Sequence, residues 1–413
     1  MSSLSLSRLQ SRQIDRLDAV SRRVFFRADL NVPMMDGGIT DTTRIDRCGE
    51  GIRMLAEKGA RVIVASHFGR PKGKRVEGMS LAPIADALAK SIGRPVRFVS
   101  DCIGSEAENI ALSMADGDVI LLENLRFHPG EEQGDADFAA SLARLAEIYV
   151  NDAFSTSHRN HASMQALARL LPAYAGPLMA GELAALAAAL EEPQRPLVAL
   201  VGGAKVSTKL DVLSHLVEKV DSLIVGGGMA NTFLLARGVA IGSSLVEADM
   251  TDKAAAISRR AGEAGCSIIL PDDVVLAREF AAGAACRTLS LNTTEKADAI
   301  SDDEMILDAG PSTIERAKAA IDTARTLIWN GPMGAFELEP FDAATVALAR
   351  HVAERTRTNG LISVAGGGDT VSALNTAGVE GDFHYVSTAG GAFLEWMEGK
   401  TLPGVAALLD DAS

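Results

Sequence analysis

The chain is poor in the residues that would place it in several large classes of protein. Of 413 residues only four are cysteine, Cys48, Cys102, Cys266 and Cys286, which is too few and too scattered for a disulfide framework. No C-x-x-C spacing occurs, which argues against the zinc and redox sites built on that pattern. Aromatic residues make up 4%, so Val, Ile, Leu and Ala must fill the core, as they do in buried parallel strands and the helices covering them. Cations are in deficit, with 40 Lys and Arg against 54 Asp and Glu, and the net charge of −14 argues against a general nucleic-acid or anionic-membrane binder. Long apolar runs are missing. The N-terminus MSSLSLSRLQSR has no apolar signal core, and the stretch 170–190 is broken by Pro172, Gly176, Pro177, Gly181 and Glu182, so a cytoplasmic protein without a membrane span is predicted. Neither G-x-x-x-x-G-K-[ST] nor G-x-G-x-x-G is found, against a P-loop or a standard dinucleotide fold.

What is present is a rhythm of short apolar runs alternating with segments of helical spacing. The runs lie at 24–32, 60–68, 96–100, 119–124 and 147–154, and again at 197–205, 222–228, 267–277, 305–310, 326–334 and 361–368. GELAALAAALEEPQRP (181–196) separates the two series, favouring helix through Ala and Leu until Pro193 and Pro196 stop it. The predicted fold is α/β, with two doubly wound, Rossmann-like lobes of parallel sheet joined by an interdomain helix and hinge. The lobes are set at 1–178 and 179–399. Charge divides unevenly between them: residues 1–178 hold 22 cationic and 22 acidic residues, whereas 179–413 hold 18 and 32.

Ligands of such sheets bind beyond the carboxyl ends of the strands, and that is where the unusual residues stand. In the first lobe these strand-end loops carry Asp29 and Asn31, Arg44, His67 and Arg70, Arg126, and Arg159. One exposed arginine is uninformative, but guanidinium forks repeated after successive strands point to a small polyanion. His67, His158 and His161 have no carboxylate at a familiar metal-ligand spacing, which favours hydrogen bonding to an anion or structural support over metal binding. The second lobe has glycine turns after its strands, VGGAKVSTKL (201–210), VGGGMA (225–230), LDAGPST (307–313), WNGPMG (329–334) and AGGGDT (365–370). Glycines admit close backbone approach, and amides at a following helix start favour phosphate. Lys205 and Lys209 lie one helical turn apart and can face one cleft. Asp369 reads as a helix cap, as a ligand of phosphate-borne Mg2+, or as both.

These motifs together resemble the phosphoglycerate kinase family. The match is carried by RADLNVP (27–33), SHFGRP (66–71), LLENLRFH (121–128), NDAFSTSHRNHAS (151–163), GGAKVSTK (202–209), GGGMANTF (226–233), LDAGP (307–311), WNGPMGAFE (329–337), GGGDT (366–370) and EGKTLPGV (398–405), in family order over roughly residues 20–407. The resemblance implies an enzyme that exchanges a phosphoryl group between 1,3-bisphosphoglycerate and ADP, giving 3-phosphoglycerate and MgATP, by hinge closure and without a general base. It implies that Asp29, Leu30, Asn31, Arg44, His67, Phe68, Gly69, Arg70, Arg126 and Arg159 bind the glycerate. Lys209, Gly310, Asn330, Glu337, Gly366, Gly367, Gly368, Asp369 and Thr370 would bind nucleotide, with Glu337 on the ribose and Asp369 on the metal. Arg44, Lys205 and Lys209 would be catalytic. It further implies that about residues 400–413 return to the first lobe, and that the protein is a monomer without nucleic-acid or membrane partners. STAGGAF (387–393) departs from the usual family turn at Ala389 and Phe393, and Ser155 stands where glycine is frequent. Two other readings explain less: a nucleotide-dependent ligase or sugar-nucleotide enzyme leaves the arginines unexplained, and a two-lobed anion- or nucleotide-binding protein without chemistry leaves Lys205, Lys209 and Asp369 idle.

Overall fold

The computed structural model describes residues 12–35, 37–291 and 299–410, so the reading of the first eleven residues lies outside the described residues. The chain divides into two compact units, one running to Ala184 and including Thr401 onward, the other Ala185–Lys400.

In the first unit the strands of the main sheet are β1 (Arg23–Arg27), β2 (Arg61–Ala65), β3 (Val96–Val99), β4 (Val119–Leu122), β5 (Ile148–Asn151) and β6 (Ala173–Ala175), apart from a short hairpin of Met34–Met35 and Gly38–Ile39. They form one parallel sheet in the order β3-β4-β2-β1-β5-β6. Central strands covered on both faces should be apolar throughout, and Val24, Phe25, Phe26, Val62, Ile63 and Val64 are all fully buried. The order reverses at β1, whose neighbours β2 and β5 lead to opposite edges. A crevice at such a switch point is the expected ligand site of an open α/β sheet. The segment read as helix over 181–196 is helical from Pro177 to Leu186 and continues as a π-helical turn, Ala187–Glu191. Its start is held by buried Asp152, whose Oδ1 accepts from the Leu178 and Met179 amides at 2.8 and 3.1 Å.

The second unit contains β7 (Leu197–Val201), β8 (Ser222–Val225), β9 (Ser267–Ile269), β10 (Asp273–Ala277), β11 (Cys286–Ser290), β12 (Met305–Ala309), β13 (Thr326–Asn330), β14 (Ile362–Gly366) and β15 (Tyr385–Ser387). Six of these form a parallel sheet, β9-β8-β7-β13-β14-β15, with its switch point between β7 and β13. The other three form an antiparallel sheet, β11-β10-β12, which the expectation of parallel sheets alone did not contain. The run at 267–277 is therefore two strands in two sheets. Pro271 lies between them, and proline has no amide to donate to a ladder. Among the described residues no helix is long and apolar enough to cross a membrane.

Candidate functional site

The strand-end loops of the first unit converge. Beyond β1, Asp29 accepts from Arg44 Nη1, in the first turn of the helix Thr43–Glu57, at 2.9 Å and from Ser155 Oγ at 2.5 Å, so three separate segments meet on one carboxylate. Arg44 Nη1 also reaches the Asn31 carbonyl at 3.1 Å. Asn31 Oδ1 accepts from the Gly69 amide at 2.9 Å, and the Gly69 carbonyl accepts from Arg126 Nη1 at 2.7 Å. Ser155 has no positive φ, and where glycine is frequent in the family its hydroxyl here ties Asp29 in place.

Below this chain of contacts lies a buried cationic group that sequence reading left partly unassigned. Arg27, from β1 itself, is fully buried, donating Nε to Ser163 Oγ at 2.9 Å and placing Nη2 3.3 Å from His67 Nδ1. Fully buried Glu131 accepts from the Ser163 amide and hydroxyl at 2.9 and 2.6 Å, and its Oε1 lies 4.0 Å from Arg27 Nη2 and 3.7 Å from His161 Nδ1. Arg126 is 2% exposed, yet its Nη2 has no partner and its Nε faces Glu132 Oε1 at 3.3 Å without hydrogen-bond alignment. His158 Nδ1 and His161 Nδ1 are also buried without hydrogen-bond partners.

The electrostatics agree with that vacancy of partners. Burial, and then neighbouring Arg159, lowers Arg126 to about 10. Burial, with Arg126, Arg27 and Arg159 beside it, lowers His161 to about 3, and burial followed by the Arg27 and Arg126 charges holds His67 well below the usual range. Gathering like charges and unpaired donors is unfavourable for the protein alone and favourable once an anion is bound. Of the residues named from sequence, Asp29, Asn31, Arg44, His67, Gly69, Arg126 and Arg159 belong to this group. Leu30 has a fully buried side chain and lends only its backbone, whose amide donates to Ser66 Oγ at 2.9 Å. The Phe68 amide is taken by Asn124 Oδ1 at 3.1 Å, and Arg70 is exposed. Arg27 was missed because a cation inside an apolar strand carries no signal of its surroundings.

In the second unit the glycine turns interlock. A Cβ on Gly202 would lie 1.8 Å from the Pro332 carbonyl oxygen. One on Gly331, which has φ +105°, would lie 2.1 Å from the Gly202 carbonyl oxygen. Lys209 spans the same junction, donating Nζ to the Gly202 and Asn330 carbonyls at 2.5 and 2.9 Å. Asn330 Nδ2 donates to the Gly366 carbonyl at 2.7 Å, its Oδ1 is buried without a partner, and Thr370 Oγ1 accepts from the Gly331 amide at 2.7 Å. The ends of β7, β13 and β14 are thus sewn together. Lys205 is exposed.

Beside this junction is a largely apolar cavity of about 310 Å3, walled by Ala204, Leu245, Phe280, Met333 and Phe336, with Glu337 and Asp369 also lining it. A flat aromatic base with a polar sugar suits such a slot. Gly310 does not line it; its Cα packs against Asp273, where a Cβ would come within 2.3 Å of the carboxyl carbon. Phe393 is fully buried, and its ring lies where a Cβ on Gly366 would be, at 2.7 Å, so the family departure supports the Gly366 turn from inside. Asp369, exposed in the first turn of helix Gly368–Ala377, can offer one carboxylate to Mg2+ whose other ligands are phosphate oxygens and water, and the residues present fit that ion.

Burial lowers Lys209 from 10.5 to about 8, with Asp369 partly restoring it. Below pH about 8 the folded protein therefore carries a disfavoured ammonium, and that penalty is relieved as pH rises from about 8 to 10.5. If the charged form serves nucleotide binding, kcat/KM for ADP falls as pH rises through about 8, and Lys209→Arg shifts the fall to higher pH. A flat profile up to pH 10 would reject this role.

The family model for phosphoglycerate kinase matches residues 14–400. The chain is 57% identical over 394 residues to the phosphoglycerate kinase of Chelativorans sp., covering 95% of this chain and 98% of that one. To the phosphoglycerate kinase of Rhizobium meliloti it is 58% identical over 391 residues, covering 95% and 96%. Its fold is similar to that of phosphoglycerate kinase from Coxiella burnetii, with a TM-score of 0.90, 42% identity and coverage of 97% and 99%. For the Pyrococcus horikoshii phosphoglycerate kinase the TM-score is 0.75 at 29% identity, covering 96% and 98%.

Proposed function

Because this chain belongs to the phosphoglycerate kinase family, we propose that its two side-chain clusters divide one reaction between them, each holding one of the two substrates. The reaction is phosphoryl transfer between 1,3-bisphosphoglycerate and ADP, giving 3-phosphoglycerate and ATP, a glycolytic step. The observation that carries the division is the set of buried side-chain nitrogens without hydrogen-bond partners on Arg126, His158 and His161 in the first unit, set against an apolar slot with an acidic edge in the second. The first matches a phosphorylated carboxylate and the second a nucleoside with its phosphates at the glycine junction.

Read in the direction of ATP consumption, the attacking group is the 3-phosphoglycerate carboxylate, ionised at neutral pH because its ordinary pKa is about 4. No proton is removed, so no general base is needed. The protein's work is to bring two anions into line and to neutralise the transferring group. Arg44, tethered at Nη1 to Asp29 and Asn31, supplies one charge; Lys205 and Lys209 supply others from the nucleotide side. Bound Mg2+ would neutralise phosphate charge, with Asp369 as its protein ligand. Transfer then requires hinge closure, which brings the ligands together and excludes water. The four cysteines are all unpaired and three of them are buried, which supports a cytoplasmic setting.

Arg126→Ala tests the division. It should weaken 3-phosphoglycerate binding by about 1.5–3 kcal/mol, roughly tenfold to a hundredfold, while leaving ADP affinity unchanged in calorimetric titration. Equal losses for both ligands would overturn it. The cap of the helix Gly368–Ala377 is Gly367 and not Asp369, so on the nucleotide side Asp369→Ala should raise the Mg2+ concentration needed for half-maximal turnover by about tenfold, and an unchanged magnesium titration would leave Asp369 only as a first-turn acid beside the helix dipole.

A further inference from the structure

Beside the first cluster, three side chains of the first unit meet in a way the phosphoryl transfer does not use. Asp101 and Cys102 follow β3, and His128 precedes helix Pro129–Gln133. One carboxylate oxygen, the thiol sulfur and one imidazole nitrogen all lie within 4.8 Å of one another. We propose that Asp101, Cys102 and His128 form a binding site for a divalent transition-metal ion of the zinc class, with the fourth position open to water.

The ligand set selects the ion. Thiolate and imidazole are soft and borderline donors, which suit Zn2+ or Co2+ and do not suit Mg2+ or Ca2+. Around a tetrahedral ion with bonds of about 2.0–2.3 Å, donor atoms stand about 3.3–3.6 Å apart. Closing from within 4.8 Å needs shifts of about an ångström, which side-chain rotation can supply. His128 Nε2 and Asp101 Oδ1 now share a hydrogen bond of 2.7 Å, so the ion would take the place of that proton and part the pair slightly.

The site is also oriented in advance. The His128 ring stacks on Phe138 with centroids 5.3 Å apart, and Asp101 Oδ1 accepts from the Cys102 amide at 2.6 Å. Cys102 is fully buried, whereas the His128 and Asp101 side chains are 28% and 44% exposed, so an ion arrives on the imidazole and carboxylate and meets the sulfur beneath. The carboxylates of Asp101, Glu131 and Glu123 make the surroundings of the sulfur negative, a field that favours a divalent cation. Arg75, which donates to the Ser100 carbonyl at 3.0 Å, is a nearby cation, but its Nη2 lies 3.5 Å from Glu123 and is offset by it. A bound ion would staple the loop after β3 to the segment that carries Arg126 and Glu131.

The test uses the full chain, stripped with a chelator and titrated with Co2+. A near-ultraviolet thiolate-to-cobalt charge-transfer absorption should grow to saturation at one equivalent and be displaced by Zn2+. Cys102→Ser should abolish it, His128→Ala and Asp101→Asn should each weaken Co2+ binding at least about tenfold, and Cys286→Ser, at the exposed thiol, should leave it intact. Retained turnover in the Cys102→Ser protein shows that it is folded, and the Asp101→Asn protein gives an independent reading should Cys102→Ser fail to fold. Absence of the absorption in the unaltered chain, its survival in Cys102→Ser, or unchanged affinity in Asp101→Asn would overturn the site.

Discussion

Lys205→Ala should lower kcat by about 10²–10³ without changing the melting temperature. That is the usual effect of removing one preorganised donor from a developing charge. Lys205 is exposed and its charge is felt by Glu247 across the turn, so its removal leaves the fold intact. Lys209→Ala should cost a comparable factor in rate and also lower stability, because it leaves the Gly202 and Asn330 carbonyls without the ammonium that joins them. Loss of charged hydrogen bonds of this kind is worth about 1.5–3 kcal/mol. Single-turnover rates and thermal melts on the two proteins separate the roles. A Lys205→Ala protein turning over within about twofold of the unaltered chain would remove Lys205 from the catalytic set, since the expected factor is far larger.

Gly202→Ala should be among the most damaging single-methyl additions in the second unit. The added carbon would lie 1.8 Å from the Pro332 carbonyl oxygen, a backbone atom that cannot rotate away. Ordinary overpacking costs about 1–3 kcal/mol, and a backbone clash at a junction of two turns belongs at or above the upper end, about 3 kcal/mol or more. That corresponds to a fall of about 6–12 °C in the transition of a unit of this size. ADP binding should be lost with it, while 3-phosphoglycerate binding, held by the other unit, should persist. A protein melting within about 2 °C of the unaltered chain would show that the two turns can part at little cost.

These two cases differ in how far they were legible. Lys205 and Lys209 stand out in the sequence, by their spacing after a Gly-Gly turn at the end of an apolar run. The reason Gly202 must be glycine does not, because the atom it would meet belongs to Pro332, far along the chain. The same holds in the first unit. Arg44, Arg126 and Arg159 were readable as cations near strand ends and His158 and His161 as candidates for hydrogen bonding to an anion, but Arg27 joined that group only when the order β4-β2-β1-β5 set the strand ends side by side. The apolar slot gave no signal at all: Leu245 and Phe280 sit in connecting segments with no periodic pattern to mark them.

By itself, then, the sequence determined the two series of strands, the strand ends at which cations and glycine turns gather, and the family. These are properties of local pattern, since alternation, turn glycines and strand-end charges are set by residues within one or two turns of each other. Tertiary structure alone decided which of those charges share one buried group, that the run at 267–277 serves two sheets, and that Asp101, Cys102 and His128 meet. Each depends on strand order and on backbone approach between segments distant in sequence, where burial removes water and makes an unpaired donor or a displaced methyl count.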